Sequence, residues 1–205
     1  MYLMKNVAVF EESARAFIAL LGGIPPALWE KPALGVWDVR SLAGHTVRAI
    51  TTIGDYLSND TPSSADCPDA ETYLLGAGAG AVSEAVARRG VAAGEALPDE
   101  PASHAAKELD RILAAIATQP ARRIVSVLGG RTIPLAEYLR TRNFELVVHT
   151  LDLSRATGIP HSLPARSIEE ASSLAARVAA RRGNGEALLL ALTGRLPLPE
   201  GFSVV

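Results

Sequence analysis

The stretch Arg142-Asn143-Phe144-Glu145-Leu146-Val147-Val148-His149-Thr150-Leu151-Asp152 decides how the chain is read. Glu145 and His149 are four residues apart, so on a helix they stand one turn above each other and can reach one ion. Pro134 suits the opening turn of such a helix, and Gly158 with Pro160 suits its end, which predicts a helix running from Pro134 to Thr157. At about 100° per residue, Arg142, Glu145, His149 and Asp152 fall within roughly an 80° arc, bordered by Leu135, Leu139, Leu146 and Leu153. A polar strip along an apolar face is where helical bundles build metal sites from the inward side chains of facing helices.

A second imidazole comes from far earlier in the chain, His45 in Trp37-Asp38-Val39-Arg40-Ser41-Leu42-Ala43-Gly44-His45. Two histidines and one carboxylate are a ligand set used by catalytic zinc, which keeps a further position open, whereas structural zinc is usually closed by four protein ligands. Taken alone, Glu-x-x-x-His is weak, because any surface helix carries it by chance, and a lone histidine is more often a core or surface residue. The two motifs together are more specific. They resemble the N-terminal domain of the mycothiol-dependent maleylpyruvate isomerase family, a branch of the DinB-like metal-binding four-helix bundles. The family pattern Arg-x-x-Glu-x-x-x-His-x-x-Asp-Leu-x-x-Ala-x-Gly is met at Arg142, Glu145, His149, Asp152, Leu153, Ala156 and Gly158. A weaker echo is Leu188-Leu189-Leu190-Ala191-Leu192-Thr193-Gly194-Arg195.

The resemblance implies an all-α, DinB-like four-helix bundle with additional C-terminal helices, over residues 1–205 as a single domain. It implies His45, Glu145 and His149 as metal ligands, none of them substituted, and a divalent metal with zinc first among the candidates. It further implies mycothiol as thiol cosubstrate and a small electrophile as partner. The family's isomerase carries a further C-terminal domain that completes its active site, and this chain stops at Val205. An S-transferase-like role is therefore expected ahead of maleylpyruvate isomerisation. Two other classes stay open at this point: a metal-dependent hydrolase without a thiol partner, and a non-enzymatic helical binding or regulatory module stabilised by metal.

Composition agrees with packed helices. Hydrophobic residues make up 48% of the 205 residues and aromatic residues only 5%, a mixture that favours helices over sheets. With 20 basic and 22 acidic residues the formal charge is -2, which leaves no electrostatic footprint for nucleic acid. The single Cys67 excludes an intramolecular disulfide and a zinc ribbon. No secretory leader and no apolar run near the roughly 20 residues that span a membrane are present, so a cytoplasmic location without membrane contact is expected. A homodimer is left open.

The remaining elements follow from periodicity. Val7, Phe10, Ala14, Phe17, Ile18 and Leu21 form a helical stripe stopped by Gly22-Gly23. Asp38 caps a second helix striped by Val39, Leu42, Ala43, Thr46, Val47, Ile50, Ile53 and Leu57, with His45 toward the edge of that stripe. A third, Ala-rich helix is predicted from Pro68 to Ala96, with Gly76, Gly78 and Gly80 in its middle serving close packing or a kink rather than phosphate binding. Ser103 is predicted to cap a helix ending near Thr118, and a short hairpin is predicted between Ile124 and Ile133 as the only β structure. Two more helices are expected, from Ala165 to Arg182 and from Gly185 to Thr193.

Among the other candidates, Asp152 is placed to orient His149 through a ring N–H, against the simpler reading of a solvated carboxylate. An ion pair with Glu145 is expected of Arg142, with anchoring of an anionic substrate as the other reading. His104 and His161 are expected to face solvent, and Trp29 and Trp37 to supply core area, with the lining of a pocket as the other reading. Cys67 has no neighbouring histidine to activate it.

Overall fold

The computed structural model describes residues 1–76 and 84–204. In chain order it contains α1 (Tyr2–Gly22), β1 (Pro32–Leu34), β2 (Trp37–Asp38), α2 (Val39–Leu57), α3 (Ala70–Gly76), α4 (Glu84–Glu95), α5 (Pro101–Ala117), β3 (Ile124–Ser126), β4 (Thr132–Pro134), α6 (Leu135–Thr157), α7 (Ala165–Arg181) and α8 (Gly185–Leu192). The all-α class expected from the sequence is met.

Four of these helices form a closed ring of neighbours: α1 packs on α6, α6 on α2, α2 on α5 and α5 on α1. Their apolar stripes meet inside it. Phe10, Phe17 and Leu21 of α1, Leu42, Ile50 and Ile53 of α2, Leu109 and Ile112 of α5, and Leu135, Leu139 and Leu146 of α6 all lie in one core with almost no exposure. Burial of each such side chain contributes about 1.5–3 kcal/mol, so this core rather than any ion holds the bundle together. A smaller cluster, with Phe144 and Val147 against Leu174 and Val178, docks α7 on the outer side of α6.

Helix boundaries have local causes. Asp38 caps α2, its carboxylate accepting the Ser41 N–H at 2.7 Å. Gly158 ends α6 in the left-handed conformation, φ 73°, as its sequence position predicts. Other expectations need correction. Of the long Ala-rich helix the described residues show α3 and α4, and its middle lies outside them; α3 begins after Asp69, whose carboxylate takes the Thr72 N–H, rather than at Pro68. Gly78 and Gly80 lie outside the described residues. Ser103 lies inside α5, which opens with Pro101 in its first turn and has no side-chain cap.

The hairpin β3–β4 occurs where expected, pairing Ile124 with Pro134 and Ser126 with Thr132. A second one, β1–β2, was not expected and breaks the prediction that β structure is confined to Ile124–Ile133. Its strands are as short as β3 and β4 but lack the β-branched run and the Gly129-Gly130 turn that mark that hairpin in the sequence. Its consequence is local: β2 delivers Trp37 and the cap Asp38 directly into the first turn of α2.

The contact of α2 with α4 is unusually close. A Cβ added to Gly44 would lie 2.4 Å from backbone atoms of Ala93 and Gly94, and one added to Gly94 would lie 2.7 Å from Ser41 Cα. One added to Gly90 would strike the Trp37 indole at 2.3 Å. These glycines let α4 lie against the segment that carries His45. Among the described residues, no helix is long and apolar enough to cross a membrane.

Candidate metal centre

The polar strip predicted on α6 faces α2, and the three candidate ligands converge. One ligand atom from each of His45, Glu145 and His149 lies within 4.8 Å of the others. Glu145 Oε2 is 3.5 Å from His45 Nε2 and 3.2 Å from His149 Nε2, and the two imidazole rings are edge to face with centroids 5.0 Å apart. The side chains are 20%, 26% and 13% exposed in that order, so the cluster sits at the rim of the bundle with a route to solvent.

The arrangement fits a cation. Two ring nitrogens aim at one carboxylate oxygen, and a neutral imidazole that points its lone pair at a carboxylate is repelled unless positive charge lies between them. Burial holds the His45 imidazole below its ordinary pKa against the opposing pull of Glu145. A neutral ring with a free lone pair is the form that ligates metal. The Nδ1 atom of His45 is buried without a hydrogen-bond partner, so nothing in the described protein fixes the ring's tautomer from behind.

His149 differs. Its Nδ1 lies 3.1 Å from Asp152 Oδ2, the contact expected from the sequence, which turns Nε2 toward the cluster. Burial would lower its pKa, but Asp152 and Glu145 outweigh this and push it up to about 9. Burial likewise acts to raise Glu145, yet both histidines and the Arg142 charge hold it well below the usual carboxylate range. A proton on His149 balances the charge of the cluster, and a metal held by the three residues would take that proton's place.

Trp37 is a wall of this site as well as core. It is 3% exposed, its indole lies 4.6 Å from the His45 ring and tilted by 32°, and its edge meets His149 at 6.4 Å. Its Nε1–H donates to the Ala87 carbonyl of α4 at 2.9 Å. The sequence offered core area or the lining of a pocket for Trp37; its contact with both imidazoles depends on how α4 closes over β2.

Arg142 does not form the expected ion pair with Glu145. Its guanidinium lies over the Tyr138 ring at 4.7 Å, and its Nε donates to Thr141 Oγ1 at 3.2 Å. It still contributes to the field at Glu145, from beyond contact distance. His104 is exposed as expected; His161 is only partly exposed, its Nδ1 accepting the Leu163 N–H at 3.3 Å. Cys67 is free and buried, and burial raises its thiol pKa, which removes it as a nucleophile.

No curated protein matches the chain. Among solved structures it is similar to a histidine-to-alanine mutant of the mycothiol-dependent maleylpyruvate isomerase, with 18% identity and a TM-score of 0.55 over 86% of this chain and 69% of that one. At that identity the likeness is one of fold, and it agrees with the expected DinB-like bundle. The family described as the mycothiol maleylpyruvate isomerase N-terminal domain matches residues 10–154, a span that holds His45, Glu145, His149 and Asp152, and the chain belongs to that family.

Proposed function

We propose that this protein is a metal-dependent enzyme that activates a low-molecular-weight thiol, mycothiol, for addition to an electrophile, in the manner of an S-transferase or of a maleylpyruvate isomerase. The observation that carries the reading is the convergence of His45, Glu145 and His149 at the solvent-facing rim of the bundle. A divalent cation held by these three, zinc first among the candidates, supplies positive charge that lowers the pKa of a thiol, about 8.5 in water, into the neutral range.

The rest is work for the chain's own side chains. Asp152 holds His149 in the ring orientation that presents Nε2 to the cluster. Trp37 packs against His45 and keeps water from that side. Two neutral imidazoles and one carboxylate leave a net positive charge on a divalent centre, which favours an anionic sulfur over a neutral ligand. Addition to an activated carbon–carbon double bond forms one S–C bond from the sulfur pair, shifts the π pair to the neighbouring carbon, and returns the thiol's proton there. Release of the adduct is a transfer; rotation about the former double bond followed by loss of the thiol is an isomerisation.

The test is metal analysis of the purified protein followed by thiol conjugation in the same preparation. Stoichiometric metal, and conjugation that persists well below the free thiol's pKa and is abolished by a chelator, support the reading. A rate that tracks free thiolate and ignores metal overturns it in favour of a binding module. Metal-dependent turnover of an ester or amide without thiol overturns it in favour of a hydrolase.

A further inference from the structure

The inward-facing arginines of this bundle are nearly all neutralised or capped. Arg140 pairs with Glu71 at 2.7 Å and Glu137 at 2.6 Å. Arg123 donates to the Leu57 and Asn59 carbonyls, and Arg131 to those of Thr72 and Tyr73. Arg142 differs from these three: like the half-buried Arg40 over Trp29 it lies on an aromatic face, but it does so on the helix that carries Glu145 and His149. It is partly buried, yet among the described residues it makes no ion pair, and only its Nε has an acceptor, Thr141 Oγ1. Its two terminal nitrogens, the fork that binds carboxylates in parallel, have no acceptor among the described residues.

What holds Arg142 in place is aromatic. Its guanidinium lies over Tyr138, which is 2% exposed and braced by Tyr56 at 5.6 Å and Tyr73 at 6.1 Å between ring centroids. Stacking on a ring face uses the guanidinium's flat side and leaves its in-plane N–H groups directed elsewhere. A cation kept partly out of water by a rigid ring, with its fork unused, is a preorganised anion receptor rather than a structural ion pair. Its place on α6, three residues before Glu145 and one turn after Tyr138, sets it between the tyrosine cluster and the metal centre.

We infer that Arg142, backed by Tyr138, is a carboxylate-binding subsite that selects an anionic electrophile and presents it beside the metal centre. The inference rests on the thiol-transfer reading for its reaction, though not for its binding. The carboxylate takes no part in the bond changes: sulfur bonds to one alkene carbon, the proton arrives on the next, and the carboxylate leaves with the product.

The test compares wild type with Arg142→Gln and Arg142→Lys, each loaded with zinc, on 4-oxo-4-phenylbut-2-enoate and its methyl ester. Binding of the saturated, unreactive 4-oxo-4-phenylbutanoate is measured by calorimetry alongside. In Arg142→Gln the preference for the carboxylate over the ester, as a ratio of kcat/KM values, falls about 10–100-fold, the loss expected of a charged hydrogen-bond pair. The loss appears in KM for the carboxylate rather than in KM for the thiol, Arg142→Lys recovers part of it, and affinity for the saturated acid falls in parallel at unchanged zinc content.

Loss of zinc from Arg142→Gln, an equal loss on both electrophiles, or a change confined to KM for the thiol overturns the subsite. Binding of the saturated acid that is indifferent to Arg142 also overturns it. A wild-type protein that conjugates neither electrophile but binds the saturated acid through Arg142 overturns the thiol-transfer reading and keeps the subsite.

Discussion

His149 is gripped from both ends, by Asp152 at Nδ1 and by the cluster at Nε2. Removing the outer grip leaves the ligand in place but free to turn. Asp152→Asn is therefore expected to weaken metal affinity about 10–100-fold, measured by competition with a coloured chelator, with unchanged helicity. His45→Ala removes a ligand outright, and the purified variant is expected to hold far less than one metal per chain while its far-ultraviolet circular dichroism matches wild type. The core of Phe10, Phe17, Ile50, Ile53 and Leu139 does not involve the ion, so folding should not depend on it. Full occupancy in His45→Ala would remove the ligand assignment. At this scale the sequence was informative about Glu145, His149 and Asp152, because helical spacing alone sets their mutual distances. It was misleading about Arg142. The same spacing permits a pair with Glu145, and whether the guanidinium turns instead to Tyr138 depends on side-chain rotamers and on what surrounds the ring.

At the scale of elements, the site depends on how α4 presses on β2 and α2. Gly44 and Gly94 permit backbone contact between the two helices, and Gly90 leaves room for the Trp37 indole. Gly94→Ala is expected to destabilise the fold by about 1–3 kcal/mol, read from thermal unfolding, because the added methyl meets backbone that cannot rotate away. Gly90→Ala meets a side chain instead, so it is expected to displace Trp37 from His45 and lower metal affinity as well as stability. A shift in tryptophan emission that accompanies the loss would report the displacement, and unchanged emission with unchanged metal binding would refute the coupling. None of this was legible beforehand. Sequence reasoning assigned close packing to Gly76, Gly78 and Gly80, since glycine clusters stand out, whereas Gly44, Gly90 and Gly94 stand singly in helices and show their purpose only against a partner surface.

At the scale of the molecule, charge pairs tie the outer helices to the bundle. Arg181 of α7 holds Asp69 with contacts of 2.9 and 2.8 Å, and Arg140 of α6 holds Glu71 of α3. Arg181 keeps the Asp69 carboxyl far below its ordinary value of 3.8. Burial acts to raise Glu71 above its ordinary 4.5, but Arg140 outweighs it and the net shift is downward. Carboxylates with depressed folded-state pKa values contribute stability that is complete above those ordinary values and is lost as pH falls through the folded ones. Melting temperature is thus expected to fall steeply between about pH 5 and pH 2, with Asp69→Asn less stable than wild type at pH 6 and less acid-sensitive below it. Parallel melting curves for the two proteins across that range would show that the pair contributes nothing.

The sequence by itself determined the helical class, the main core stripes, the cap at Asp38, the stop at Gly158 and the i, i+4 pair Glu145 and His149, because each is governed by residues within a few turns of one another. Its family pattern also singled out His45. What only the tertiary structure decided is the Arg142 guanidinium laid over Tyr138 rather than paired with Glu145, and everything that crosses between elements: the distance from His45 to α6, the indole laid on two imidazoles and the β1–β2 hairpin. Such contacts join residues far apart in the chain, and their geometry is set by packing constraints that no local pattern encodes.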